Sequence, residues 1–134
     1  MEEGVRKITT WVGEARKVLV HCSASLSRST TVVMAWLMST HGMTLTDAVS
    51  TVSVGRGRPP CCNVSFWYKL AALERKIFSL ADDAAPSHCF LDHVVKDLGT
   101  GSGGLGADEV EVRRLMPLRQ WNAYAVLNEI MGSD

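Results

Sequence analysis

The stretch Lys17-Val18-Leu19-Val20-His21-Cys22-Ser23-Ala24-Ser25-Leu26-Ser27-Arg28-Ser29 decides how this chain is read. Val18, Leu19 and Val20 form a short β-branched and aliphatic run suited to a buried strand. Thr30 to Met38 is mostly apolar and reads as a helix, so the polar residues between the two are a loop feeding a helix start. Such a loop presents several unpaired backbone N–H groups, and the positive end of the helix dipole adds to them, making a site that fits a phosphate. Arg28 contributes a planar fork of donors that binds two phosphate oxygens at once, which Lys does not reproduce. The same field acts on Cys22. A thiol facing a helix N-terminus and a guanidinium loses its proton more easily than a free one, and the thiolate is the attacking form. Ser29 is placed to donate a hydrogen bond toward the sulfur and help it leave a phosphocysteine. His21 is expected to brace the loop through its ring nitrogens. The chemistry expected of this stretch is phosphate-ester cleavage through a cysteine.

His21-Cys22, the five-residue spacer, Arg28 and Ser29 resemble the signature loop of the cysteine-dependent protein phosphatases, and the flanks narrow the resemblance to dual-specificity phosphatases. Lys17 to Val20 resembles the strand leading into that loop, and Thr30 to Met38 the helix leaving it. Gly42-Met43-Thr44-Leu45-Thr46-Asp47-Ala48 is similar to the turn and start of the next helix. Arg58-Pro59, followed by Asn63, Phe66 and Trp67, is similar to the segment opening the last helix of the domain. The resemblance covers Met1 to about Phe78 and lacks the N-terminal part of the family's domain. It implies an α/β fold: a partial phosphatase-like domain with a central strand and phosphate-binding loop followed by helices. It also implies that Cys22 is the nucleophile and Arg28 the phosphate binder. Ser23, Ala24, Ser25, Leu26 and Ser27 would supply loop amides to the substrate, and Ser29 would assist the second step.

Two departures stand out. Ser25 occupies a position where the family loop usually has Gly, and a left-handed backbone there would cost a non-Gly residue roughly 1–2 kcal/mol. The family also carries a general-acid Asp farther upstream of the nucleophile than this chain's first residue reaches. The acids before Cys22 are Glu2, Glu3 and Glu14, with Glu14 near the end of the helix expected before the strand. Lacking a general acid costs about 10²–10⁴-fold in rate, roughly 3–5.5 kcal/mol of barrier, and aryl phosphates suffer least.

The 134 residues are 46% hydrophobic, enough for one ordinary domain with a core. Fourteen basic residues balance fourteen acidic ones, so no global field draws in nucleic acid or an anionic membrane. The apolar runs are too short to span a bilayer, and Met-Glu-Glu-Gly has neither the basic start nor the apolar stretch of a signal peptide. Four cysteines, one inside a reactive motif, fit a reducing compartment better than a disulfide framework. The expected location is cytoplasmic, with the nucleus as a further site. The expected partner is a phosphorylated protein substrate, and the expected mechanism uses no cofactor and no metal.

Glu2 to Ala15 reads as an amphipathic helix with Val5, Ile8, Trp11 and Val12 on one face. Gly42 ends the apolar helix after Met38, Thr46 to Val54 forms another, and Gly55 to Pro60 breaks it. Asn63 or Ser65 caps a helix carrying Phe66, Leu70, Leu73 and Ile77. Ala81 to Ser87 reads as a loop, Thr100 to Gly106 as a Gly-rich linker, and Asn122 to Met131 as a last helix. The division expected is a partial phosphatase-like domain over 1–78 and an extension over 79–134 without an assigned role. A lone strand leaves its ladder groups unpaired. Two segments qualify as replacements for its neighbours: Glu109-Val110-Glu111-Val112, which alternates with period two, and the apolar run from Cys89-Phe90-Leu91 to Val95.

Other chemistries have candidate residues in the chain. Cys61, Cys62, His88, Cys89 and His93 are zinc-ligand types, but adjacent cysteines point their side chains apart and no Cys-x-x-Cys occurs. Oxidised Cys22 condensing with Cys61, Cys62 or Cys89 would make a redox switch. Arg56 and Arg58 read as solvated charges, in a region that by resemblance lies near the site rim. The alternative to an enzyme is a phosphoprotein-binding module, with the loop intact and turnover negligible for want of the acid.

Overall fold

A computed structural model describes residues 1–22, 27–60, 62–99 and 105–132. Seven helices occur among them: α1 (Glu2–Gly13), α2 (Ser27–His41), α3 (Leu45–Arg56), α4 (Val64–Ile77), α5 (Leu91–Leu98), α6 (Glu109–Leu118) and α7 (Ala123–Met131).

The apolar residues of α2 lie around most of its circumference, the pattern of a helix enclosed by others. It packs against α1, α3 and α4, and Met34, Ala35, Leu37 and Met38 are buried. Gly42, at φ +63, lets the chain turn directly after α2. Thr44 then caps α3 by accepting from the Asp47 amide at 3.2 Å, and Asn63 caps α4 by accepting from the Phe66 amide at 3.0 Å. Of the stripe on α1, Ile8 is buried and Val5 half-buried, while Trp11 and Val12 are exposed.

α4 joins the two halves of the chain. Trp67 is fully buried and stacks on Phe90 with ring centroids 5.5 Å apart, and Phe90 meets the edge of Trp121 at 5.8 Å. Through this aromatic ladder α5 and α7 dock on α4, with α6 packed against both. Residues from 79 onward therefore share one continuous core with the helices before them.

A buried acid supplies the second tie. The Glu74 carboxylate accepts from the Leu45 amide at 2.6 Å, the Ser87 amide at 2.8 Å and the Ser87 hydroxyl at 2.5 Å. Three donors compensate a charge that would otherwise be costly to bury, and the first turn of α3 also favours it. One carboxylate thus fastens the start of α3, the body of α4 and the loop that returns from α4.

The α/β architecture expected from the sequence is not found: the described residues are helical and contain no strand or sheet. Val18 to Cys22 takes no strand form, and Leu19 is 83% exposed. A strand exists only through a ladder with a neighbour. Both segments that qualified as neighbours take helical form instead. Asp108 caps α6 by accepting from the Glu111 amide at 3.1 Å, and Arg113 pairs with Glu109 one turn earlier. Period two over four residues cannot compete with a cap, an i,i+4 ion pair and the burial of Val112, Leu115 and Met116. The apolar run after Phe90 becomes α5, burying Val94 and Leu98. Of the Gly-rich linker, residues 100–104 lie outside the described residues. Its flanks meet, the Gly106 amide donating to the Gly99 carbonyl at 2.7 Å and the Ala107 amide to the Leu98 carbonyl at 2.6 Å.

Candidate active site

Cys22 lies in the segment that leaves α1, beside the first turn of α2. Cys22 is half-buried, with its Sγ 3.4 Å from the Ser29 Oγ, within hydrogen-bond range for sulfur. In the thiol the S–H donates to the hydroxyl oxygen; in the thiolate the hydroxyl donates to sulfur. The Ser29 hydroxyl, then the backbone N–H groups of Ser29 and Arg28 and the Arg28 charge, hold the Cys22 pKa below that of a free thiol, against an opposing effect of burial. A helix start thus serves the sulfur as it would serve any anion.

Val20, His21, Cys22, Arg28, Ser29 and Val32 line one cleft of about 330 Å³. The cleft brings together four of the residues singled out in the sequence: the nucleophile candidate, the guanidinium, the hydroxyl and His21. Arg28 is exposed within α2 and its charge acts on the sulfur, and His21 is exposed at the rim. The backbone of Ser27 begins α2, three residues earlier than expected. Ser23, Ala24, Ser25 and Leu26, whose amides are expected to cradle phosphate, lie outside the described residues, as does the strain expected at Ser25. No carboxylate lines the cleft among the described residues.

Arg56 stands closer to this site than a solvated charge would. It is half-buried, donates from Nη1 to the buried Thr30 Oγ1 at 3.3 Å, and lines a neighbouring apolar cleft that shares Val20 and Ser29 with the first. The start of α2 is therefore braced from α3. The next residue, Thr31, donates to the buried Cys62 Sγ at 3.3 Å, bracing the same turn from the segment before α4. Neither link carries a local sequence signal, because each joins residues at least 26 positions apart.

The metal-ligand types considered above are dispersed. Cys62 is buried against Thr31, Cys89 is exposed, and His88 and His93 both lie against Trp67 at centroid distances of 5.1 and 5.6 Å. Cys61 lies outside the described residues. Among the described residues no three of His, Cys, Asp and Glu converge to hold a metal ion. No helix among them is long and apolar enough to cross a membrane.

Cys22, its pKa lowered by the first turn of α2, shares a cleft with Arg28 and Ser29 whose electrostatics suit an anion. The chain belongs to the dual-specificity phosphatase family, whose catalytic-domain model matches residues 1–76. Dual specificity protein phosphatase 26 of Homo sapiens is 44% identical over 61 residues, covering 46% of this chain and 28% of that protein. Dual specificity protein phosphatase 13B of Mus musculus is 43% identical over 61 residues, covering 46% and 30%, and dual specificity protein phosphatase 14 of Homo sapiens is 44% identical over 62, covering 45% and 30%. The chain thus spans less than a third of the length of these curated relatives. No solved structure matches it.

Proposed function

We propose that this chain hydrolyses phosphotyrosine in proteins, and phosphoserine or phosphothreonine more slowly, through a phosphocysteine on Cys22. The observation carrying this reading is the pairing of Cys22 with Ser29 at the α2 N-terminus, 3.4 Å apart, with the thiol pKa depressed. The Cys22 thiolate attacks phosphorus, forming an S–P bond as the ester P–O bond breaks. The leaving oxygen departs with the bonding pair and takes its proton from water. Water then attacks phosphorus, the S–P bond breaks, and sulfur leaves as a thiolate accepting a hydrogen bond from Ser29, releasing inorganic phosphate. Arg28 and the amides of the loop before it bind the phosphoryl oxygens through both steps. The sulfur supplies the nucleophile itself, so the scheme requires no metal and no cofactor. The substrate is a phosphorylated protein met in the cytoplasm or nucleus.

The cleft lining favours aryl esters. With no carboxylate among the described residues that line the cleft, a phenoxide leaves far more easily than an alkoxide. The same lining supports a second reading, a phosphoprotein-binding module with negligible turnover. Rates on a series of aryl phosphates of increasing leaving-group pKa, beside an alkyl phosphate, distinguish the two. The proposal expects rates that fall steeply along the series, with the alkyl ester about 10²–10⁴-fold slower. Folded protein that binds phosphate and turns over no member of the series would assign the binding role.

A further inference from the structure

A groove of about 600 Å³ that shares no residue with the Cys22 cleft lies between α1 and α4, with α2 beneath. Ala35 and Ser39, one turn apart on α2, lie at its base, Ala35 buried and Ser39 exposed. Val5 of α1 and Leu73 of α4 make apolar walls. Three cations edge it: Arg6 on one side, Lys69 and Lys76 on the other, against the single carboxylate of Glu2. Among the described residues none of the three pairs with an acid, although five of the chain's other cations do.

We propose that this groove docks an acidic amphipathic helix of a partner protein. Lys69 and Lys76 lie seven residues apart on α4, about 10.5 Å along its axis. That spacing matches acidic residues about two turns, or seven residues, apart on a docked helix whose apolar stripe enters between Val5 and Leu73. The rim charges set orientation and encounter rate, and the half-buried apolar walls at Val5 and Leu73 supply the contact.

The test uses the whole chain and three labelled synthetic peptides: an amphipathic helix with Leu at i, i+3 and i+7 flanked by Glu, its scrambled isomer, and its Glu-to-Lys counterpart. Anisotropy should report binding of the first alone, weakened by added salt and about tenfold by Lys69→Glu with Lys76→Glu. Both lysines are exposed, and circular dichroism checks the variant's fold; Arg6→Glu provides an independent loss from the opposite rim. Aryl phosphate turnover should be unchanged in both variants. Failure of the Glu peptide to bind, equal binding of the scrambled isomer, or insensitivity to these substitutions would overturn the proposal. It would equally be overturned by self-association of the chain that the double variant abolishes, or by preferential binding to phosphatidylserine vesicles lost in the same variant.

Discussion

Cys22 Sγ and Ser29 Oγ face each other at 3.4 Å across the start of α2, and the Ser29 hydroxyl is the foremost influence lowering the thiol's pKa. Alkylation by iodoacetamide should therefore level off at a pH below about 8.5, the value of a free thiol. The sign follows from the thiolate being the reactive form: reactivity falls as pH drops through the depressed pKa. Ser29→Ala should move the inflection upward and slow departure of sulfur from the intermediate, converting steady turnover into a burst. An unmoved inflection would show that the hydroxyl does not act on the sulfur.

Glu74 ties Leu45 and Ser87 together from a buried position. Glu74→Ala leaves three donors without their acceptor, and the expected loss is about 3–5 kcal/mol, the cost of removing one partner of a buried charged network. Urea unfolding of the variant measures it. A loss under about 1 kcal/mol would place the carboxylate outside the network described.

α1 ends in a motif usually built on Gly. The Ala15 amide donates to the Val12 carbonyl and the Arg16 amide to the Trp11 carbonyl, each at 3.0 Å, with Ala15 at φ +60. Ala15→Gly relieves the left-handed backbone at some entropic cost and should stabilise the chain by about 0.5–1 kcal/mol. Thermal unfolding checks the direction.

Burial, reinforced by His93 and opposed by Glu74, holds the His88 pKa below that of a free imidazole. Folding therefore favours the neutral ring. Its contribution is complete above about pH 6.5 and is lost as pH falls from there through the depressed value. Unfolding midpoints between pH 7 and 5.5 should fall with pH, less steeply in His88→Phe. Equal slopes would assign the effect to other groups.

Short-range features were legible in the sequence because their causes are short-range. An α4 cap at Asn63 or Ser65, of which Asn63 forms it, the helix from Thr46, and the grouping of Cys22, Arg28 and Ser29 all follow from neighbours within a few positions. The strand at Val18 did not follow, because a strand's stability resides in its partner, and Leu19 is left facing solvent. Glu74 and Arg56 look like ordinary helix charges in one dimension. Their partners at Ser87 and Thr30 become neighbours only after α2, α3 and α4 have packed. Trp67, read as part of a helix start, also anchors the aromatic ladder to residues beyond Ser79, where the resemblance had ended.

The most direct test of the central claim is acid-quench trapping with a radiolabelled phosphotyrosyl peptide, applied to the parent chain, Ser29→Ala and Cys22→Ser. The account predicts label on the peptide containing Cys22 in the parent, more of it in Ser29→Ala, and none in Cys22→Ser, which also loses turnover. Label on another residue, or hydrolysis retained by Cys22→Ser, would contradict it.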